Sequence, residues 1–256
     1  MTEIPKDHPR YLSLMTRELI IQGVEKGITG IAGLVAQGRG EAFDYLLSER
    51  TIPSASEAER TAAAALLLAK GPVISVNGNT AALVPEELVR LSTMLGAPLE
   101  VNLFYRTQER VRKIIEYLVS YGAQDVLGAR PDCNIAGLSS ERGHVCKQGI
   151  FLADVVFVPL EDGDRCDALG RMGKTVIVVD LNPLSRTAQS ASVCIVDNII
   201  RAMPNIIELA DGMKGMSTGY LQEIVDGFDN RQNLDDALGS IYKNLKMKHH
   251  QLPNIL

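Results

Sequence analysis

A chain of 256 residues with 46% hydrophobic and 22% charged side chains has the balance of a globular protein, which excludes wholesale disorder. Its length suits one large domain, or one domain with a smaller helical annex. The formal charge of −5 at pH 7 speaks against bulk nucleic-acid binding, which wants a basic face, but not against a small anion, because a few clustered arginines set the field inside a cleft.

No apolar run approaches the roughly 20 residues needed to span a bilayer. The opening MTEIPKDHPR has no apolar core, so no secretory signal is expected. The small-apolar run Thr61 to Ala69 is too short to span and reads as a buried helix. Cys133, Cys146, Cys166 and Cys194 show no CxxC spacing and have no histidines at ligand spacing beside them. Reduced cysteines in a cytoplasmic protein are expected, with no zinc site and no disulfide framework. Trp is absent and aromatics are 5%, so a stacking platform for single strands is not supported.

In chain order, residues 8 to 25 carry apolar side chains near the helical period, with Leu12, Met15, Leu19, Ile20 and Val24 on one face. Gly27 and Gly30 stop that helix. Residues 28 to 39 read as a small-residue connection, and a helix is predicted over 41–48. Ser54 opens an alanine-rich helix over 54–70. A different rhythm follows, with apolar runs at Val73–Val76, Leu99–Leu103, Asp125–Leu127, Asp154–Val158, Thr175–Val179 and Val193–Val196. Helices are predicted over 85–95, where Pro85 suits a first turn, and over 107–121. Strands this apolar have both sheet faces covered. Six of them predict an α/β fold: a Rossmann-like open, mainly parallel six-stranded sheet with helices on both faces. Helical patterns resume after Asp197, through about 213 and over 217–227 and 231–246. The expected plan is a single α/β domain, residues 1–256: an N-terminal helical segment (1–70), the sheet core (71–200) and C-terminal helices (201–256).

In open α/β sheets ligands bind beyond the carboxyl ends of the strands. The residues just past five of these runs are Asn77-Gly78-Asn79-Thr80, Tyr105-Arg106-Thr107, Glu161 to Arg165, Asp180 to Thr187, and Asp197-Asn198. Any one of these clusters is also an ordinary turn composition. Five on one edge are what a crevice site needs. Asp180 and Asn182 suit ribose hydroxyls or adenine edges, and Arg186 with Thr187 suits phosphate. Asp162 and Asp164 suit Mg²⁺, or simply an acidic helix start. Arg39 lies between glycines just before a predicted helix, as an anion contact would. Arg17, on the first helix, reads from pattern alone as a solvated side chain.

Two motifs mislead. ALGRMGKT (168–175) ends like a phosphate-binding loop, but Ala168 stands where the first glycine belongs, and Lys174-Thr175 leads into a strand, not a helix. No GxGxxG follows a strand, and GxSxG is absent. His144 is the only histidine away from the termini, which is weak support for general-base chemistry.

The stretches IPKDHPRYLSL, GRGEAFDYLL, PVISVNGNTAALVPEE, EVNLFYRTQERV, ADVVFVPLEDGDR, TVIVVDLNPLSRTAQSA and IVDNIIRAMPN resemble the archaeal 4-phosphopantoate–β-alanine ligase (phosphopantothenate synthetase) family. The likeness runs from about residue 4 to 212, with an echo at Asp229-Asn230 and Asn233-Leu234. It implies a homodimeric ligase of coenzyme A biosynthesis. Such an enzyme condenses 4-phosphopantoate with β-alanine to 4′-phosphopantothenate through an acyl-adenylate, with ATP and Mg²⁺, and forms AMP and diphosphate. The implied ATP contacts are Arg17, Arg39, Asp180, Leu181, Asn182, Arg186, Thr187, Asp197 and Asn198. The family pattern has histidine where this chain has Gln37, so no proton-transfer role is implied there. Strand-end placement alone assigns Asn77, Asn79, Thr80 and Arg106 to the phosphopantoate side. No covalent nucleophile is required and none is expected. A kinase on the same frame, or a non-catalytic nucleotide-binding regulator, are the rival expectations.

Overall fold

The computed structural model describes residues 4–8, 10–160 and 163–251, the last four as backbone only. Met1 to Glu3 and Pro9, which fall in the N-terminal stretches read above, lie outside the described residues. Three helices come first: α1 (Tyr11–Glu25), α2 (Ile31–Leu46) and α3 (Pro53–Leu68). Then follow β1 (Pro72–Val76), α4 (Gly78–Leu83), α5 (Pro85–Leu95), β2 (Leu99–Val101), α6 (Gln108–Ser120), β3 (Val126–Leu127), β4 (Cys133–Asn134) and β5 (His144–Val145). The remainder is β6 (Val155–Pro159), α7 (Gly163–Arg171), β7 (Thr175–Val179), α8 (Arg186–Ser190), β8 (Val193–Ile195), α9 (Ile199–Met213), α10 (Thr218–Asp226) and α11 (Asn230–Gln251).

The six expected runs form one sheet in the order β3-β2-β1-β6-β7-β8, with every pair parallel. Alternation along each strand feeds two cores. In β7, Ile177 and Val179 face the core of α3, α5 and α9, while Val176 and Val178 face the core shared with α7, α8 and α11. This is why the runs are apolar throughout. The alanines of α3 are buried on nearly every side, and their small size lets α9 and α10 close on that helix.

Three expectations are corrected. Residues 28–39 are not a connection, because α2 begins at Ile31, with Gly30 extended at its N-cap. Its glycines depress helix propensity but allow close approach: a Cβ at Gly33 would collide with the Asn79 amide. Asn77 to Thr80 is not a plain loop, since Asn77 caps the short helix α4. The second run pairs only over Leu99–Val101, and Asn102 and Leu103 continue buried beyond the strand. The small β4–β5 antiparallel pair had no counterpart among the predicted elements.

The order in which strands are added reverses between β1 and β6. Successive connections run outward to either side, leaving a crevice at the carboxyl ends of these two strands.

Candidate active site

A cleft of about 620 Å³ opens at that crevice. Its wall at the β1–β6 seam is braced by one side chain. The Asn77 amide nitrogen donates to the carbonyls of Pro159 (3.2 Å) and Leu160 (3.0 Å), while its oxygen accepts from the Thr80 N–H at 3.0 Å. The Thr80 hydroxyl is fully buried between the Asn77 oxygen and the Pro159 carbonyl. Leu160 itself has a φ of 60°, a left-handed conformation rare for a branched residue and found where surroundings over-determine it. Asn79 faces the cleft and donates to the Gly33 carbonyl at 2.8 Å, joining α4 to α2.

The β7–α8 turn forms the next wall. Asp180 accepts from the Asn182 N–H (2.9 Å) and the Ser185 hydroxyl (2.5 Å), and Asn182 accepts from the Leu184 N–H at 3.0 Å. These Asx-type bonds hold the turn without a ligand. Burial pushes the Asp180 carboxyl up, against the Ser185 and Asn182 hydrogen bonds and the field of Arg39. Leu181 points into the core while also lining the cleft. Arg186 opens α8 and pairs with Asp164 of α7 at 2.5 Å, and Thr187 is buried at the cleft wall. Gly163 permits this meeting, since a Cβ there would press on Arg186 and on the Thr187 nitrogen.

Helix α2 supplies the opposite wall through Gly33, Gln37, Gly40 and Phe43, with Arg39 at its edge. Arg17 does not line the cleft. Its guanidinium grips Glu41 in a fork, Nε to Oε2 at 2.8 Å and Nη2 to Oε1 at 2.6 Å. Burial alone would raise the Glu41 pKa, but hydrogen bonds from Arg17, Ser13 and Tyr45 outweigh it and hold it at about 2.

The Asp197-Asn198 pair is joined to the rest from below. Asp197 is buried and accepts from the Thr51 hydroxyl (2.5 Å), the Asn198 N–H (2.7 Å) and Arg201 Nε (2.9 Å). Arg201 also bridges to Asp44 on α2 at 2.5 Å, and Asp44 accepts from the Asn198 amide at 2.8 Å. Asn198 reaches the cleft; Asp197 holds it in place. Nearby Glu59 on α3 is driven to about 8 by burial, although the Asn205 amide opposes the shift. A neutral Glu59 adds no third negative charge beside Arg201.

At the β2 end the structure departs from sequence order. Arg106 turns to the Gly128 carbonyl instead of the cleft. The cleft is lined here by Phe104, Tyr105, Arg110 and Arg142. Sequence reasoning missed both of these arginines. Arg110 lies one turn into α6 and Arg142 lies far along the chain, near β5, so neither follows a strand. The helical spacing of Arg110 from the Thr107 cap is the only signal that marked it.

Several expectations find their places away from the cleft. Lys174 precedes β7 and donates to the Phe151 and Ala153 carbonyls at 2.8 and 2.6 Å, a structural role. His144 faces solvent beside Glu141. All four cysteines are free. Glu161 and Asp162 lie outside the described residues, and Asp164 is engaged by Arg186. Among the described residues no group of three or more His, Cys, Asp or Glu side chains could hold a metal, and no helix is long and apolar enough to cross a membrane.

The model of the phosphopantothenate/pantothenate synthetase family matches residues 54–244. The chain is 58% identical to a 4-phosphopantoate–β-alanine ligase of Thermococcus onnurineus over 239 residues, 93% of this chain and 92% of that protein. It is 59% identical to the protein of the same name from Thermococcus kodakarensis, with the same coverage. Identity to the Methanosarcina mazei protein of that name is 54% over 246 residues, 96% of this chain and 97% of the relative.

Proposed function

The chain belongs to the phosphopantothenate/pantothenate synthetase family, and from that premise we propose that it joins 4-phosphopantoate to β-alanine at the expense of ATP. The product is 4′-phosphopantothenate, a precursor in coenzyme A biosynthesis. The observation that carries this reading is the cleft at the β1–β6 seam, lined by a self-bonded polar turn with Arg186, by helix α2 with Arg39, and by Arg110 and Arg142 at the β2 end.

In this reading a carboxylate oxygen of 4-phosphopantoate attacks the α-phosphorus of ATP. The bond from that phosphorus to its bridging oxygen breaks and diphosphate leaves. The β-alanine nitrogen then attacks the acyl carbon and loses a proton, and AMP departs with the electron pair of the acyl–oxygen bond. The protein's work is to orient the reactants, neutralise phosphate charge and exclude water. Arg39 and Arg186 meet the phosphates, and Arg17 joins them on leaving Glu41. Asp180, Asn182 and Asn198 receive the nucleoside, with Leu181 and Thr187 as walls and Asp197 fixing Asn198. Asn79 faces the acid substrate, and Arg106 stands behind it at the β2 end. Asn77 and Thr80 brace the seam. Mg²⁺, which takes phosphate oxygens as ligands, would accompany ATP and offset its charge.

We also infer a homodimer working in the cytoplasm. Ile31 and Val35 on α2 are 75% and 71% exposed beside Leu34, an apolar strip that a second copy would cover. A monomeric mass in sedimentation removes that part of the reading.

The test is product analysis with ATP, Mg²⁺, 4-phosphopantoate and β-alanine. AMP that forms only when both acid and amine are present supports the ligase. ADP points to a phosphotransferase, and no nucleotide product to a binding protein.

A further inference from the structure

Three arginines in and around the cleft face a carboxylate. Arg17 meets Glu41, Arg186 meets Asp164, and Arg201 meets Asp44 and Asp197. Arg110 differs. Its Nη1 donates to the Tyr105 carbonyl at 2.6 Å and its Nη2 to the Ile28 carbonyl at 3.1 Å, both neutral acceptors. Its Nε is buried with no acceptor, and among the described residues no carboxylate pairs with it. Burial accordingly lowers its pKa.

The surroundings hold this cation open to the cleft. Glycines flank the guanidinium: a Cβ at Gly78 would lie 3.1 Å from Nη2, and one at Gly30 would lie 3.8 Å from the central carbon. Carbonyl contacts on two sides fix its plane, leaving further N–H groups of the fork unspent. A half-buried charge without a countercharge is costly in the empty protein, and an arriving anion offsets that cost.

Position selects the anion. The β2 end of the cleft lies three strand spacings, about 14 Å, from the β7 end that takes the nucleotide. An acid whose carboxylate reacts at the α-phosphate must extend its other end away from that turn. We propose that Arg110 is the receptor for the phosphate ester of the acid substrate, and so the residue that selects a phosphorylated acid over an unphosphorylated one. This rests on the ligase reading above. A dianionic phosphate matches a planar, fixed guanidinium through paired N–H···O bonds, which a lysine ammonium reproduces only as a point charge.

The test is steady-state kinetics of Arg110→Met and Arg110→Lys, with thermal melts to establish that both fold. Calorimetric binding of 4-phosphopantoate in the absence of β-alanine supplies a readout apart from turnover. Arg110→Met should raise the KM and the Kd for 4-phosphopantoate about 10- to 100-fold. The KM values for ATP and β-alanine should stay near wild type. The preference for 4-phosphopantoate over pantoate should fall by the same factor, and Arg110→Lys should recover part of it. A rise confined to β-alanine would reassign Arg110 to that carboxylate and overturn the proposal, as would equal losses with phosphorylated and unphosphorylated acid or no loss at all. If the wild-type protein makes no AMP from the substrate pair, it is the ligase reading that fails; calorimetry still reports separately on Arg110.

Discussion

At the β7 end of the cleft, Asp180, Asn182 and Ser185 hydrogen-bond one another, and Arg186 already has an acidic partner in Asp164. At the β2 end, the Arg110 charge has only carbonyls to lean on. The first region is held by its own hydrogen bonds, so binding there costs little ordering. The second is left electrostatically unbalanced, so what binds there is chosen by charge. In the proposed reading one cleft thus separates a generic task, gripping a nucleotide, from a selective one.

The largest expected effect comes from undermining the β7 end at its base. Arg201→Met leaves Asp44 and Asp197 buried without their cation, and should cost about 3–5 kcal/mol in urea denaturation. An unchanged midpoint would show that the Asn198 side of the cleft does not depend on this network. Arg186→Ala should lower kcat/KM for ATP about 10- to 100-fold with little change in the KM of the acid substrate. Equal effects on both substrates would erase the division between the two ends.

The smallest effect tests the ground beneath them. Glu59 has a folded pKa of about 8 against an ordinary 4.5. The stability its neutral form lends is complete below pH 4.5 and is lost as the pH rises through about 8. Glu59→Gln stays neutral and keeps an acceptor for Asn205. It should melt like wild type below pH 4.5 and at a higher temperature than wild type by pH 8, with the gap opening between those two values. A gap that does not widen with pH would mean Glu59 is charged in the fold.

The sheet was legible because its strands are apolar on both faces and separated by turn residues, so all six were found in their places. Strand-end reasoning then reached Asn79, Asp180, Asn182, Arg186 and Asn198, because backbone topology alone delivers such positions to the crevice. It could not see that Asn77 and Thr80 are consumed in bracing the seam, since their hydrogen-bond partners at Pro159 and Leu160 lie far away in the chain. Nor could it rank Arg110 above Arg106. Both sit near the same strand end, and only the path of the chain around Gly128 turns one away and leaves the other facing inward. Helix α2 was hidden for a related reason: glycine is a poor helix former, and Gly33 is kept in this helix because the Asn79 amide comes too close for a side chain.

The seam brace at Asn77 has a mechanical meaning. Parallel strands running outward from a switch point are where an α/β sheet would most readily splay, like the two leaves of a hinge. Here the Asn77 amide and the Thr80 hydroxyl extend the β1–β6 backbone ladder at its carboxyl end, through the carbonyls of Pro159 and Leu160. The sheet is thereby tied at the floor of the cleft. Closing on substrates and letting products go then falls to the pieces resting on it, helix α2 and the Phe104–Tyr105 corner, so the tempo of turnover is expected to follow their movement and not that of the strands.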